Sequence, residues 1–118
     1  AMKAVLLVSH GSRLSQTKRE VEQLAERLRR RKAADVIEFA FLELESPNIP
    51  QGIDICASRG AKEIKVLLNF LNFGRHVDTD IPAIVKEAQK KYPKIKISIT
   101  KPVGQHHGIE KLFLDLLK

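Results

Sequence analysis

Short apolar runs alternate with amphipathic ones along the whole chain. Residues 3–8 are a continuous apolar run after Lys3, the pattern of a strand buried on both faces. Residues 9–15 read as a loop, with Gly11 free to take a tight turn and Ser12 or Ser15 available to cap a helix. Val21, Leu24, Ala25 and Leu28 then recur at three- and four-residue spacing, which predicts a helix over 16–32 with one apolar stripe. A second strand is expected over 35–42. Asn48 followed by Gln51 resembles a capping box, and Pro50 suits a first helical turn. Ile49, Ile53, Cys56 and Ala57 make the stripe of that helix, which Gly60 closes.

A third strand is predicted over 62–68, continuing through 69–73 until Gly74 ends it. Asp78, Thr79 and Asp80 offer caps for a helix that turns Ile81, Ile84, Val85 and Ala88 inward and stops at Lys91-Tyr92-Pro93. A fourth strand covers 95–100. After Pro102-Val103-Gly104 a last helix, 106–117, is expected to bury Ile109, Leu112, Phe113 and Leu116. The order is β-α repeated four times. It predicts one α/β domain over 1–118: a four-stranded parallel sheet with right-handed crossovers and helices on both faces. The carboxyl ends of such strands form one rim, where ligands bind.

Composition narrows the class. The chain has 118 residues and is 43% hydrophobic, enough for a core and against disorder. No apolar run approaches the roughly 18 residues that span a membrane, and no export signal is read at the N-terminus, where Ala1 ahead of Met2 looks like an added residue. A lone cysteine, Cys56, sits in an apolar helical pattern and is expected to be a buried, reduced thiol, which points to the cytoplasm. The formal charge of +7 favours polyanionic partners. Much of that excess lies between Arg13 and Lys32, where it also suits a solvated helix face and C-terminal turn. Nucleic acid is not expected: Phe39, Phe41, Phe70, Phe73 and Phe113 are not interleaved with basic residues as a stacking platform requires.

Three predicted strands end in residues suited to binding metal or moving a proton: His10 after the first, Glu43 after the second, His76 beyond the third. Imidazole and carboxylate are common ligands of divalent metals, and histidine titrates near neutrality. A closed structural zinc site lacks its ligand set. His106 and His107, adjacent at a helix start, read as surface or capping residues. Gly11, Gly74 and Gly104 fall in post-strand loops but form no nucleotide-binding glycine motif. Arg13 and Arg75 would offer forked donors to carboxylates. Asn69 and Asn72 read either as loop caps or as pocket lining beside Phe70 and Phe73, for which core burial is the competing role.

Residues 7–13 (Leu-Val-Ser-His-Gly-Ser-Arg), 41–47 (Phe-Leu-Glu-Leu-Glu-Ser-Pro) and 74–82 (Gly-Arg-His-Val-Asp-Thr-Asp-Ile-Pro), with Lys101-Pro102-Val103-Gly104, resemble in this order the CbiX/SirB family of small class II chelatases acting on sirohydrochlorin. The resemblance implies insertion of a divalent metal into that tetrapyrrole: cobalt first, for cobalamin, with iron for sirohaem or nickel as alternatives. It places His10 and His76 on the family's metal-binding and catalytic histidines and Glu43 on its acidic position. Arg13, Arg75, Asn72 and Phe73 would meet the macrocycle, whose eight carboxylates suit a basic protein. Either histidine can take either role. No permanently bound cofactor is implied, since the metal is a substrate. Short members form homodimers that recreate the cleft larger relatives build from two lobes. The competing expectation is a noncatalytic tetrapyrrole or metal carrier of the same fold.

Overall fold

The computed structural model describes residues 2–118, so Ala1 lies outside it. The strands are β1 (Lys3–Ser9), β2 (Val36–Phe41), β3 (Glu63–Leu68) and β4 (Lys96–Ile99), all parallel, in the order β2-β1-β3-β4. The helices are α1 (Ser15–Arg30), α2 (Ile49–Ser58), α3 (Ile81–Lys91) and α4 (Ile109–Leu116). A π-helical turn, His76–Asp80, runs directly into α3, and a short 3-10 turn, Val103–Gln105, precedes α4.

β1 lies between two strands and two layers. Ala4, Leu6 and Val8 face α2 and α3, where they join Ile49, Ile53, Ile64, Val66 and Ile81. Leu7 faces α1 with Val21, Ala25, Ile37 and Phe41. This two-sided burial is why the run after Lys3 is uniformly apolar rather than alternating. Cys56 is buried and free, and burial pushes its thiol up to about 12. The capping box at α2 is present: Gln51 N–H donates to Asn48 Oδ1 and Asn48 N–H donates to Gln51 Oε1, both at 2.9 Å. Gly60, at φ +94°, closes that helix in the left-handed region.

Several expectations are corrected. Neither Ser12 nor Ser15 caps α1. Leu14 holds the cap position without a side-chain bond, and Ser12 Oγ accepts from Leu14 N–H instead. Asp78, Thr79 and Asp80 do not cap α3, because helical backbone already begins at His76 and leaves no free helix end there. β3 stops at Leu68, and residues 69–73 leave the sheet. Asn69 N–H still donates to Val8 O, but Phe70 O accepts from Gly104 N–H in the 3-10 turn, which pulls the segment off the strand path.

The largest correction is α4. None of its residues is buried: Ile109 is half-buried, while Leu112, Phe113 and Leu116 are 56%, 55% and 83% exposed. The sheet explains this. On the α1 side, the β3–β4 half of the surface carries Glu63, Lys65, Lys96 and Ser98, paired in register, and gives an amphipathic helix no apolar floor. Among the described residues, no helix is long and apolar enough to cross a membrane.

Candidate metal centre

Because β1 is flanked by β2 and β3, the residues leaving the carboxyl ends of these three strands share one rim. Two backbone bonds join the first two exits: Leu42 N–H donates to Ser9 O and Glu43 N–H to His10 O. Gly11 is needed at this crossing. Its φ is +105°, and a Cβ there would stand 1.8 Å from Glu43 O, so any side chain would push the two loops apart. Leu44, at φ +70°, turns the chain between two glutamates with different tasks. Glu43 faces His10. Glu45 turns back beneath the loop, where its Oε1 accepts from Ser12 N–H at 3.0 Å while its buried Oε2 has no partner.

The third strand is tied in by Asn69, whose Nδ2 donates to the buried Ser9 Oγ at 3.0 Å. The loop after it brings His76 back over the rim in the first residue of the π-helical turn. His76 Nδ1 lies 2.7 Å from Asp80 Oδ2, one helical turn on. In the tautomer whose Nδ1–H donates to that carboxylate, the Nε2 lone pair is available to a ligand.

His10, Glu43 and His76 therefore converge. Each offers a ligand atom, and these atoms all lie within 4.8 Å of one another. His10 Nε2 is 3.3 Å from Glu43 Oε1, and the two imidazole centroids are 5.2 Å apart. The set is two imidazole nitrogens and one carboxylate oxygen, about half-exposed, with open positions for further ligands. Such a site can take up a hydrated divalent ion, replace part of its water, and still release it, because no closed cage forms.

The other residues named from the sequence sit around this cluster without joining it. Arg13, Asn72, Phe73 and Arg75 are exposed on the two loops that carry the histidines, and among the described residues none makes a side-chain hydrogen bond or ion pair. Phe70 packs against the core, whereas Leu71 and Phe73 are exposed. Asn69 lines a small cavity of 280 Å³ beside His10 and Gly11. His106 Nδ1 accepts from Gly108 N–H within the turn that precedes α4, without a side-chain cap on the helix. Asp80 and Glu45 are the positions that pattern reading missed as parts of this region. The four-residue spacing of His76 and Asp80 within a helical pattern was a usable signal for the first; nothing in the sequence announces the second.

The CbiX family model matches residues 4–118. The chain is 37% identical over 117 residues to the sirohydrochlorin cobaltochelatase of Priestia megaterium, covering 99% of this chain and 37% of that protein. It is 33% identical to the sirohydrochlorin cobaltochelatase of Sulfolobus acidocaldarius, covering 99% of this chain and 88% of the relative. Among solved structures, the sirohydrochlorin chelatase SirB of Bacillus subtilis subspecies spizizenii, crystallised in complex with cobalt, superposes with a TM-score of 0.90 at 33% identity. That match covers 99% of this chain and 50% of SirB. The chain thus spans half or less of the length of two of these relatives and nearly all of the third.

Proposed function

The chain belongs to the CbiX family, and on that premise we propose that it inserts a divalent metal, cobalt or alternatively iron or nickel, into sirohydrochlorin. The observation that carries this reading is the convergence of His10, Glu43 and His76, with ligand atoms within 4.8 Å, on an open rim. Insertion exchanges one metal ion for the two protons on the pyrrole nitrogens. The imidazoles and the carboxylate receive the ion and strip part of its hydration. As the ion passes to the ring nitrogens, the same side chains regain lone pairs that can accept the departing protons, directly or through water. Asp80, 2.7 Å from His76 Nδ1, steadies that ring. Arg13 and Arg75, exposed on the flanking loops, would pair with substrate carboxylates, and Asn72 and Phe73 would meet the macrocycle.

The working unit in this reading is a homodimer. The cavity beside His10 measures 280 Å³, below the roughly 300–1,000 Å³ of pockets that enclose drug-sized ligands, and a tetrapyrrole is larger than those. One lobe is an open wall; a second copy provides the cover that excludes water.

An absorbance assay with excess sirohydrochlorin, run in parallel with cobalt, iron and nickel, tests the function. A chelatase converts many equivalents of macrocycle per chain, with the visible spectrum moving to that of the metallated product. A change that stops at one equivalent identifies a carrier and overturns the enzymatic reading.

A further inference from the structure

His10 and Arg13 leave the same strand on one short loop, yet they are held in different ways. His10 is fixed by main chain. Its carbonyl accepts from Glu43 N–H at 3.1 Å, Ser9 O accepts from Leu42 N–H at 2.9 Å, and Gly11 packs against Glu43 O where no side chain fits. These bonds need no particular side chain on the loop after β2. Past Gly11 they stop. Among the described residues, the one hydrogen bond from residues 11–13 to that loop is Ser12 N–H to Glu45 Oε1, at 3.0 Å. Arg13 follows directly. On its other side Leu14 donates its N–H to Ser12 Oγ at 3.1 Å, and Leu14 O accepts from Thr17 N–H as α1 opens. The backbone of Arg13 is thus bracketed, and one carboxylate oxygen fastens the bracket to the loop after β2.

That carboxylate is costly where it stands. Its Oε2 is buried without a partner, and among the described residues no base pairs with it. An acceptor kept from water without a donor destabilises the fold. Glu45 also sets an acid behind a wall that, in the reading above, receives a polycarboxylate, so its charge works against binding. Its position is what remains to explain it. Leu44 shows that this position is imposed. At φ +70° it takes the left-handed region that leucine rarely adopts, which sends Glu43 toward His10 and Glu45 back toward Ser12.

We propose that Glu45 is a positioning residue for the substrate: by holding Ser12 N–H it sets where Arg13 presents its guanidinium to a carboxylate of the macrocycle. The metal cluster is left to the main-chain bonds around His10. This deepens the chelatase reading above and rests on it, giving Glu45 a task separate from that of Glu43.

The test measures binding on the full chain, so that it reads the same way for a chelatase and for a carrier. Sirohydrochlorin without metal is titrated by absorbance, and cobalt alone by calorimetry. The variants are Glu45→Ala and Glu45→Leu, the second refilling the buried volume without an acceptor. Both should bind sirohydrochlorin about threefold to fivefold more weakly, the upper range of one exposed ion pair, with cobalt affinity unchanged. Glu45→Gln keeps an acceptor oxygen at the same reach and removes the charge, so it should bind the macrocycle at least as tightly as the parent. A role through charge alone would tighten all three variants. A role in folding alone would appear in urea unfolding and leave both affinities of the folded protein as they were. Arg13→Ala should cost a factor similar to Glu45→Ala, and combining the two should cost nothing more, because the group being positioned is gone. Unweakened macrocycle binding in Glu45→Ala and Glu45→Leu, a Glu45→Gln as weak as Glu45→Ala, additive losses with Arg13→Ala, or a matching loss of cobalt affinity overturns the assignment and leaves the chelatase reading standing. A parent chain that binds no sirohydrochlorin overturns both.

Discussion

Two clusters of titratable side chains lie on this small protein, and their difference separates a candidate site from a fastening. One is His10, Glu43 and His76. The other joins α2 to the end of α3: Asp54 Oδ1 accepts from Tyr92 Oη at 2.5 Å and from Lys91 Nζ at 3.0 Å. Exposure does not distinguish them, since His10, Glu43 and Asp54 are 49%, 46% and 44% exposed. Satisfaction does. In the second cluster both donors close on one carboxylate oxygen. The hydrogen bond from Tyr92, then that from Lys91, holds the Asp54 carboxyl below its ordinary range, and the bond to Asp54 raises both partners in turn. The charged carboxylate is answered by its own lysine and tyrosine. In the first cluster the ligand atoms of the two rings and the carboxylate lie within 4.8 Å of one another, and besides the 3.3 Å contact of His10 with Glu43 only His76 is held, through Asp80. Lone pairs that the protein leaves unused are what a metal needs.

The comparison can be broken most directly at the histidines. His10→Ala and His76→Ala should each lower metal insertion by about 100-fold or more, the range of a positioned proton-transfer or ligand group, while far-UV circular dichroism is unchanged. Near-normal turnover in both variants would remove the cluster from the chemistry. Glu43→Gln keeps shape and loses charge, so turnover should fall by about tenfold to 100-fold with macrocycle affinity kept. Steady-state kinetics beside a direct binding titration reads the split, and equal turnover would reduce Glu43 to a scaffold residue.

Asp80→Asn should cost about tenfold in cobalt affinity by calorimetry, the low end for partners that orient a ligand, because this pair is half-exposed. Affinity equal to the parent's would make the Asp80 contact incidental.

At the second cluster Tyr92→Phe should leave turnover untouched and reduce stability by about 0.5–1 kcal/mol in urea unfolding, one partly exposed hydrogen bond. The pH dependence follows from the shifts. The lowered Asp54 pKa contributes stability that is present above its unfolded value near 4 and lost as pH falls through the folded value. The raised Lys91 and Tyr92 values contribute stability that is present below about pH 10 and lost as pH rises through theirs. The difference in stability between parent and Tyr92→Phe should therefore be flat in between and shrink at both ends. A loss of turnover in this variant would mean the two clusters are coupled.

The contrast between α1 and α4 shows where reading the sequence stops. Both carry an apolar stripe at helical spacing, and both were expected to bury it. α1 finds Leu7, Ile37 and Phe41 beneath it; α4 finds a polar half-sheet. Periodicity states which face of a helix is apolar and says nothing of what covers it.

The chain's own order of residues determined a good deal. Alternating strand and helix patterns impose parallel pairing. The capping box at Asn48 and Gln51 and the glycine after α2 are local and were legible as such. Parallel strands also send every carboxyl end to one rim, so His10, Glu43 and His76 could be proposed together from their places in the chain. Tertiary structure alone decided the strand order that sets β1 between β2 and β3, and with it the 4.8 Å convergence. It decided equally that Glu45 tethers Ser12 across 33 residues, whereas the His76–Asp80 pair, four residues apart, was within reach of the pattern. The reason is range. Caps, turns and stripes depend on neighbours within a turn or two of chain, whereas a site depends on distances between segments that meet only after the sheet has assembled.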